Sequence, residues 1–188
     1  TRRRLDVEGH RPKPVAADPL LSTIRISVLV LCMGIAARSD YETLSVRDSH
    51  WIKWSIPATL LLLVEVSSKN SGTANLCTAL ALLALFSSCF VRPPDPRRFW
   101  EWGGAETVLS IVYIAGISGL VLGALDNSDT NFVDLVLGDE SAETTLWWSM
   151  VGALLTMTVF LTAWRLGIIQ GRADVKALIL VTLMLPSW

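Results

Sequence analysis

The sequence predicts an all-α fold, a polytopic transmembrane helical bundle of about six membrane segments, and three observations predict it. Of the 188 residues 52% are hydrophobic and only 18% are charged, against the ~25% charged of an ordinary soluble domain. The charges are almost absent from several runs of roughly 14–21 residues, the length that crosses a hydrocarbon core about 30 Å thick at 1.5 Å per helical residue. Those runs are apolar on every face, whereas a strand that spans a bilayer alternates apolar and polar residues, so helices are the consistent reading.

The elements follow in order. Residues 1–19 form a polar tail expected to be disordered: Arg2, Arg3 and Arg4 are followed by a polar stretch with Pro12 and Pro14 rather than by the apolar region of a signal peptide. Residues 20–188 make up a multi-helix membrane domain. Its first segment is Leu20–Ala37. The second, Trp51–Ser67, opens on Trp51 and Trp54 and carries Glu65 near its far end, where a packing or hydrogen-bonding role is expected. The third is Ala74–Val91; Cys77 and Cys89 lie in it and Cys32 in the first, with no CxxC or Cys/His spacing, so neither zinc nor a disulfide framework is expected. The fourth, Ala105–Leu125, has Ala115, Gly119 and Gly123 on one stripe, a small-xxx-small pattern that lets another helix come close. The fifth is Leu146–Trp164. The sixth, Val175–Trp188, has about fourteen residues, short of the ~20 of a full span, and is expected to continue in a longer protein.

Sorting the charges by side gives an orientation. Loops on one side, with their flanks, hold Arg38, Arg47, Lys53, Arg92, Arg97, Arg98, Arg165, Arg172 and Lys176. Loops on the other hold Lys69 alone, and the stretch 126–145 has six acidic residues and no Lys or Arg. The positive-inside rule places the basic side in the cytoplasm of a multi-pass cell-membrane protein. Against this stands the basic N-terminal region, including Arg25, which the same topology puts outside. Seven of the 8 tryptophans (51, 54, 100, 102, 147, 148 and 164) fall near segment ends, where an indole keeps its N–H wet and its rings in lipid. The formal net charge of −1 gives no basic excess of the kind a nucleic-acid binder shows.

Two aspartates stand at the ends of apolar segments on the basic side. Asp40 follows the first segment and Asp174 begins the sixth, with four complete segments between them, so an up-and-down topology returns both to one face. Two carboxyl groups that meet and share a proton can activate water and polarise a peptide carbonyl without metal or cofactor. On spacing alone the alternatives stay open: an aspartate at a helix start caps it, and one at a membrane border is a solvated anchor or an arginine partner. Gly171 either lets a substrate backbone approach or ends a loop, and Arg172 and Lys176 either hold acidic substrate residues or anchor to headgroups. His50 shows no Ser or Cys partner and reads as an interfacial loop residue.

The local sequences add a resemblance. Gly171-Arg172-Ala173-Asp174, continuing Val175-Lys176-Ala177-Leu178, resembles the Gly-x-x-Asp element of the GxGD-type membrane aspartyl proteases, and within them the archaeal preflagellin and type IV prepilin peptidases. The stretch from Asp40 to Trp51 is similar to that family's first motif, with Val46 and Trp51 at the family spacing; Arg47 and Asp48 stand where Pro-Asn is usual, and Arg172 replaces a frequent second glycine. The resemblance implies catalytic roles for Asp40 and Asp174, support from Gly171, Arg172, Ala173 and Lys176, no metal or cofactor, and pilin or archaellin precursor peptides as substrates, cut at the cytoplasmic membrane border. Presenilin-like proteases share the Gly-x-x-Asp element but use a downstream Pro-Ala-Leu motif, which is not present before Trp188. The rival from another class is a proton-coupled transporter or a non-catalytic membrane protein. The sequence leaves the oligomeric state open.

Overall fold

A computed structural model of the chain describes residues 19–69, 72–95 and 103–185, and among these residues it contains helices and no strand. Residues 1–18 of the predicted tail, residues 186–188 of the predicted sixth segment, and Arg97, Arg98, Trp100 and Trp102 of one loop lie outside the described residues, while Pro19, assigned to the tail, begins the first helix. The helices are α1 (Pro19–Thr43), α2 (Asp48–Ser68), α3 (Thr73–Ser87), α4 (Gly104–Asp126), α5 (Phe132–Leu137), α6 (Ala142–Arg165) and α7 (Arg172–Met184). One helix answers to each predicted segment. The addition is α5, a short helix in the acidic stretch, capped by Asn131, whose side chain accepts from Val133 N.

Three helices are long and apolar enough to cross a membrane: Pro19–Thr43, Glu106–Asp126 and Ala142–Arg165. Their make-up marks a helical membrane protein. The others fall short for readable reasons. α2 carries Lys53, Pro57 and Glu65 within its apolar stretch, and α3 and α7 have 15 and 13 residues, about 22 and 20 Å at 1.5 Å per residue.

α3 lies at the centre, packed against α2, α4, α6 and α7. The core is Leu62 of α2, Ala79 and Leu82 of α3, Met150 and Met157 of α6, and Ile179 and Leu183 of α7, each at most 1% exposed. Outward-facing side chains are large and apolar as well: Val30, Leu31 and Ile35 on α1, and Ile111, Ile114 and Ile117 on α4. An apolar exterior of this extent suits lipid, not water.

α4 comes close to α3 through glycines. A Cβ at Gly116 would lie 2.7 Å from Ala81 Cα, and one at Gly119 would lie 2.5 Å from Thr78 N. Gly123 instead faces the indole of Trp147. The stripe thus runs through 116, 119 and 123 and serves two neighbours. Tyr113 adds a hydroxyl bond to Ala84 O at 3.0 Å.

Two tryptophans do not sit where an interfacial belt would put them. Trp51 and Trp147 are 2% and 4% exposed, and neither indole N–H has a hydrogen-bond partner among the described residues. They fill space between helices; Trp148, by contrast, is exposed.

Arg25 also differs from expectation. It belongs to α1 rather than to a basic tail, and its guanidinium pairs with Glu65 of α2 at 2.6 Å, both side chains 5% exposed. Arg25 further donates to Leu61 O, and Lys69 approaches Glu65 at 3.0 Å. Glu65 is therefore an ion-pair partner. Pairing is what makes charge tolerable inside an apolar helix pair.

Candidate active site

At one end of the bundle two short connections meet, residues 44–47 between α1 and α2, and residues 166–171 between α6 and α7. The first is set by the end of α1. Leu44 turns into the left-handed region, φ 53°, and its N–H bonds Asp40 O at 2.7 Å, closing the last turn. Asp40 is therefore inside the helix, which runs six residues past the predicted end. The second connection starts at Gly167, φ 74°, where a side chain would be strained. Its N–H bonds Trp164 O and that of Ile168 bonds Ala163 O, the paired bonds of a Schellman ending. The chain then re-enters helix with Gly171 as the residue before α7.

Asp174 lies in the first turn of α7, and its carboxylate folds back over Gly171. A Cβ on residue 171 would stand 2.6 Å from Asp174 Cγ and closer still to Oδ2. The close approach that glycine permits here is to Asp174 itself.

Asp40 and Asp174 line the same two adjoining clefts. One, about 310 Å³, is walled by Met33, Ala36, Ala37, Trp51 and Ala177 together with Val46, Ala173 and both aspartates. The other, about 430 Å³, shares Asp40, Val46, Ala173 and Asp174 and continues along Leu44, Ser45, Asp48, Gly171, Arg172 and Lys176. An apolar trough and a polar one thus meet at a pair of exposed carboxylates.

The polar trough is fastened by charge. Lys176, 2% exposed, donates to Asp48 Oδ1 at the start of α2, and its ammonium lies 4.7 Å from the centre of the Phe90 ring. Its burial leaves it no reach toward headgroups. Arg172, 62% exposed, stands 4.0 Å from the other Asp48 oxygen. The Lys176 hydrogen bond, opposed by desolvation and helped by the charges of Lys176 and Arg172, holds the Asp48 carboxyl below its ordinary range. Sequence reasoning placed Asp48 and Trp51 in the first motif and Trp51 at a segment end, but it did not foresee the Asp48–Lys176 pair or the burial of Trp51. The available signal was Asp48 itself, an acid just before an apolar segment and on the same face as Lys176.

His50 does have a sulfur partner. Its Nε2 lies 3.7 Å from Cys32 Sγ, and its ring meets Trp51 edge-on at 5.1 Å. Cys32 is fully buried, out of reach of a substrate, so the contact is packing rather than a nucleophile–base pair. No group of three or more His, Cys, Asp or Glu side chains able to hold a metal ion occurs among the described residues.

The fold and this end of it define a class: a helical bundle of membrane-protein make-up with two carboxylates facing one divided cleft. Comparison with protein-family models, with curated proteins and with solved structures finds no match.

Proposed function

We propose that the chain is an integral-membrane aspartyl endopeptidase similar to the prepilin and preflagellin peptidases, with Asp40 and Asp174 as the catalytic pair. One observation carries the reading: the two aspartates, 134 positions apart in the chain, line the same clefts. In this mechanism the ionised carboxylate takes a proton from a bound water while the protonated one polarises the scissile carbonyl. The divided cleft suits a substrate of two characters. The apolar trough receives the start of a hydrophobic helix and the polar trough the leader, so the bond between them passes over the aspartates.

The same reading gives the bundle six crossings, α1, α2, α3, α4, α6 and α7, with the dyad at the cytoplasmic border. Positive loop charges on that side support it. Asp48, which replaces the family's usual asparagine, closes the first loop onto α7 through Lys176.

The test is cleavage of a pilin-type precursor by membranes that contain the wild-type chain, Asp40→Asn or Asp174→Asn at matched levels. Each variant is expected to lose ~10²–10⁴-fold in rate. Unimpaired processing by either one overturns the reading, and proton-coupled uptake that needs Asp174 without any cleavage favours the transporter instead.

A further inference from the structure

At the opposite end of the bundle, about 30 Å away along the 21-residue α2, a cleft of about 260 Å³ lies between the starts of α3 and α6 and the end of α4. It is lined by Ala74, Asn75, Asp126, Asn127, Glu143 and Thr144. Every polar lining side chain carries an oxygen and none is Lys, Arg or His. The stretch that leads from α4 into α6 supplies no basic residue either.

The hydrogen bonds around the cleft leave oxygen on offer. Asn75 is 1% exposed; its Nδ2 donates to Glu143 O at 3.2 Å, and that bond fixes which end of the amide is oxygen. Its Oδ1 then remains buried with no partner, a state that costs ~1–3 kcal/mol unless something supplies positive charge or a proton. The half-buried Asn127 likewise donates through Nδ2, to Gly123 O at 2.7 Å. Glu143 spends one oxygen on Gly72 N at 2.6 Å and keeps Oε2. Asp126 ends α4, where the helix dipole also favours a cation.

We propose that this cleft binds a calcium ion. Two carboxylates, two amide oxygens and the Thr144 hydroxyl form an all-oxygen set, the ligand type a hard cation takes. The mixture of side chains from three helices suits the irregular six- to eight-fold shell of Ca²⁺ better than the strict octahedron of Mg²⁺. With only two charged ligands, binding falls in the weak range, Kd ~10⁻⁴–10⁻³ M. The bound ion would satisfy Asn75 Oδ1 and tie α3, α4 and α6 together at the end away from the aspartate pair. The site is independent of peptidase activity.

The full chain, purified in detergent and stripped with chelator, is titrated with CaCl₂ at constant ionic strength while ⁴⁵Ca²⁺ binding and the thermal unfolding midpoint are followed. One saturable ion per chain is expected, with a midpoint rise of a few degrees at ten times Kd and a smaller response to MgCl₂. Asp126→Asn should weaken binding at least tenfold, and Asp126→Asn with Glu143→Gln should abolish it. Glutamine at 143 can still accept from Gly72 N, so the double variant is expected to keep its fold, checked by its unfolding midpoint in chelator. No saturable binding up to 10 times the top of the ~10⁻³ M range, or equal binding by wild type and double variant, overturns the proposal.

Discussion

The Asp174 carboxylate occupies the space that a side chain on Gly171 would fill: a Cβ there would lie 2.6 Å from Asp174 Cγ. Gly171 itself has φ −78° and ψ 110°, a conformation any residue adopts. Alanine is therefore compatible with the backbone and incompatible with this placement of Asp174, which has to rotate away. Gly171→Ala is expected to change stability by less than about 1 kcal/mol and to slow precursor cleavage ~10–100-fold, the usual consequence of moving a reacting group by about 1 Å. Parallel thermal unfolding and cleavage assays check this. Unchanged cleavage would mean that the approach of Asp174 to Gly171 has no bearing on function.

The Asp48–Lys176 pair makes an ordered set of stability predictions. Breaking a buried pair by removing one member costs ~3–5 kcal/mol, but the Asp48 side chain is 52% exposed, so about 2 kcal/mol is expected for Asp48→Asn. Lys176→Met keeps the volume under Phe90 and leaves no buried charge; it should cost less, and adding Asp48→Asn to it should cost little more. The pH dependence follows from the lowered Asp48 pKa. A carboxyl depressed in the folded state contributes stability that is present above its unfolded value, ~3.9, and is lost as pH falls through the folded value. Denaturation midpoints at pH 3–7 should therefore drop more steeply below about pH 4 for wild type than for the double variant.

The helices were legible because apolar length needs no tertiary information. α1, α4 and α6 announce themselves by composition, and even the 13-residue α7 was placed from where Asp174 ends a polar loop. Helix ends were less legible, since α1 continues to Thr43 through Arg38, Ser39 and Asp40 and stops only where Leu44 turns left-handed. What lay beyond the sequence was partnership. Lys176 and Arg25 each look like interfacial anchors until a carboxylate from another helix, Asp48 or Glu65, is seen beside them. The same holds for Gly123, whose neighbour is the indole of Trp147 rather than a helix backbone.

Arg25 and Glu65 provide the sharpest energetic test, because their environment is asymmetric. Glu65 has two cations, Arg25 at 2.6 Å and Lys69 at 3.0 Å, while Arg25 has Glu65 and the carbonyl of Leu61. Removing Arg25 leaves the carboxylate with Lys69, whose side chain is 20% exposed and can adjust. Removing Glu65 leaves a guanidinium at 5% exposure with no carboxylate, and Arg cannot lose its proton to escape the penalty. Glu65→Leu is therefore expected to cost ~3–5 kcal/mol and Arg25→Leu roughly half as much. The double leucine variant should recover most of the Glu65→Leu loss, since two apolar side chains suit this helix pair as well as a satisfied ion pair does. Unfolding titrations of the three variants in detergent supply the cycle. Equal losses for the two single variants, with no recovery in the double, would show that Lys69 shares no charge with Glu65 and that the pair acts by packing alone.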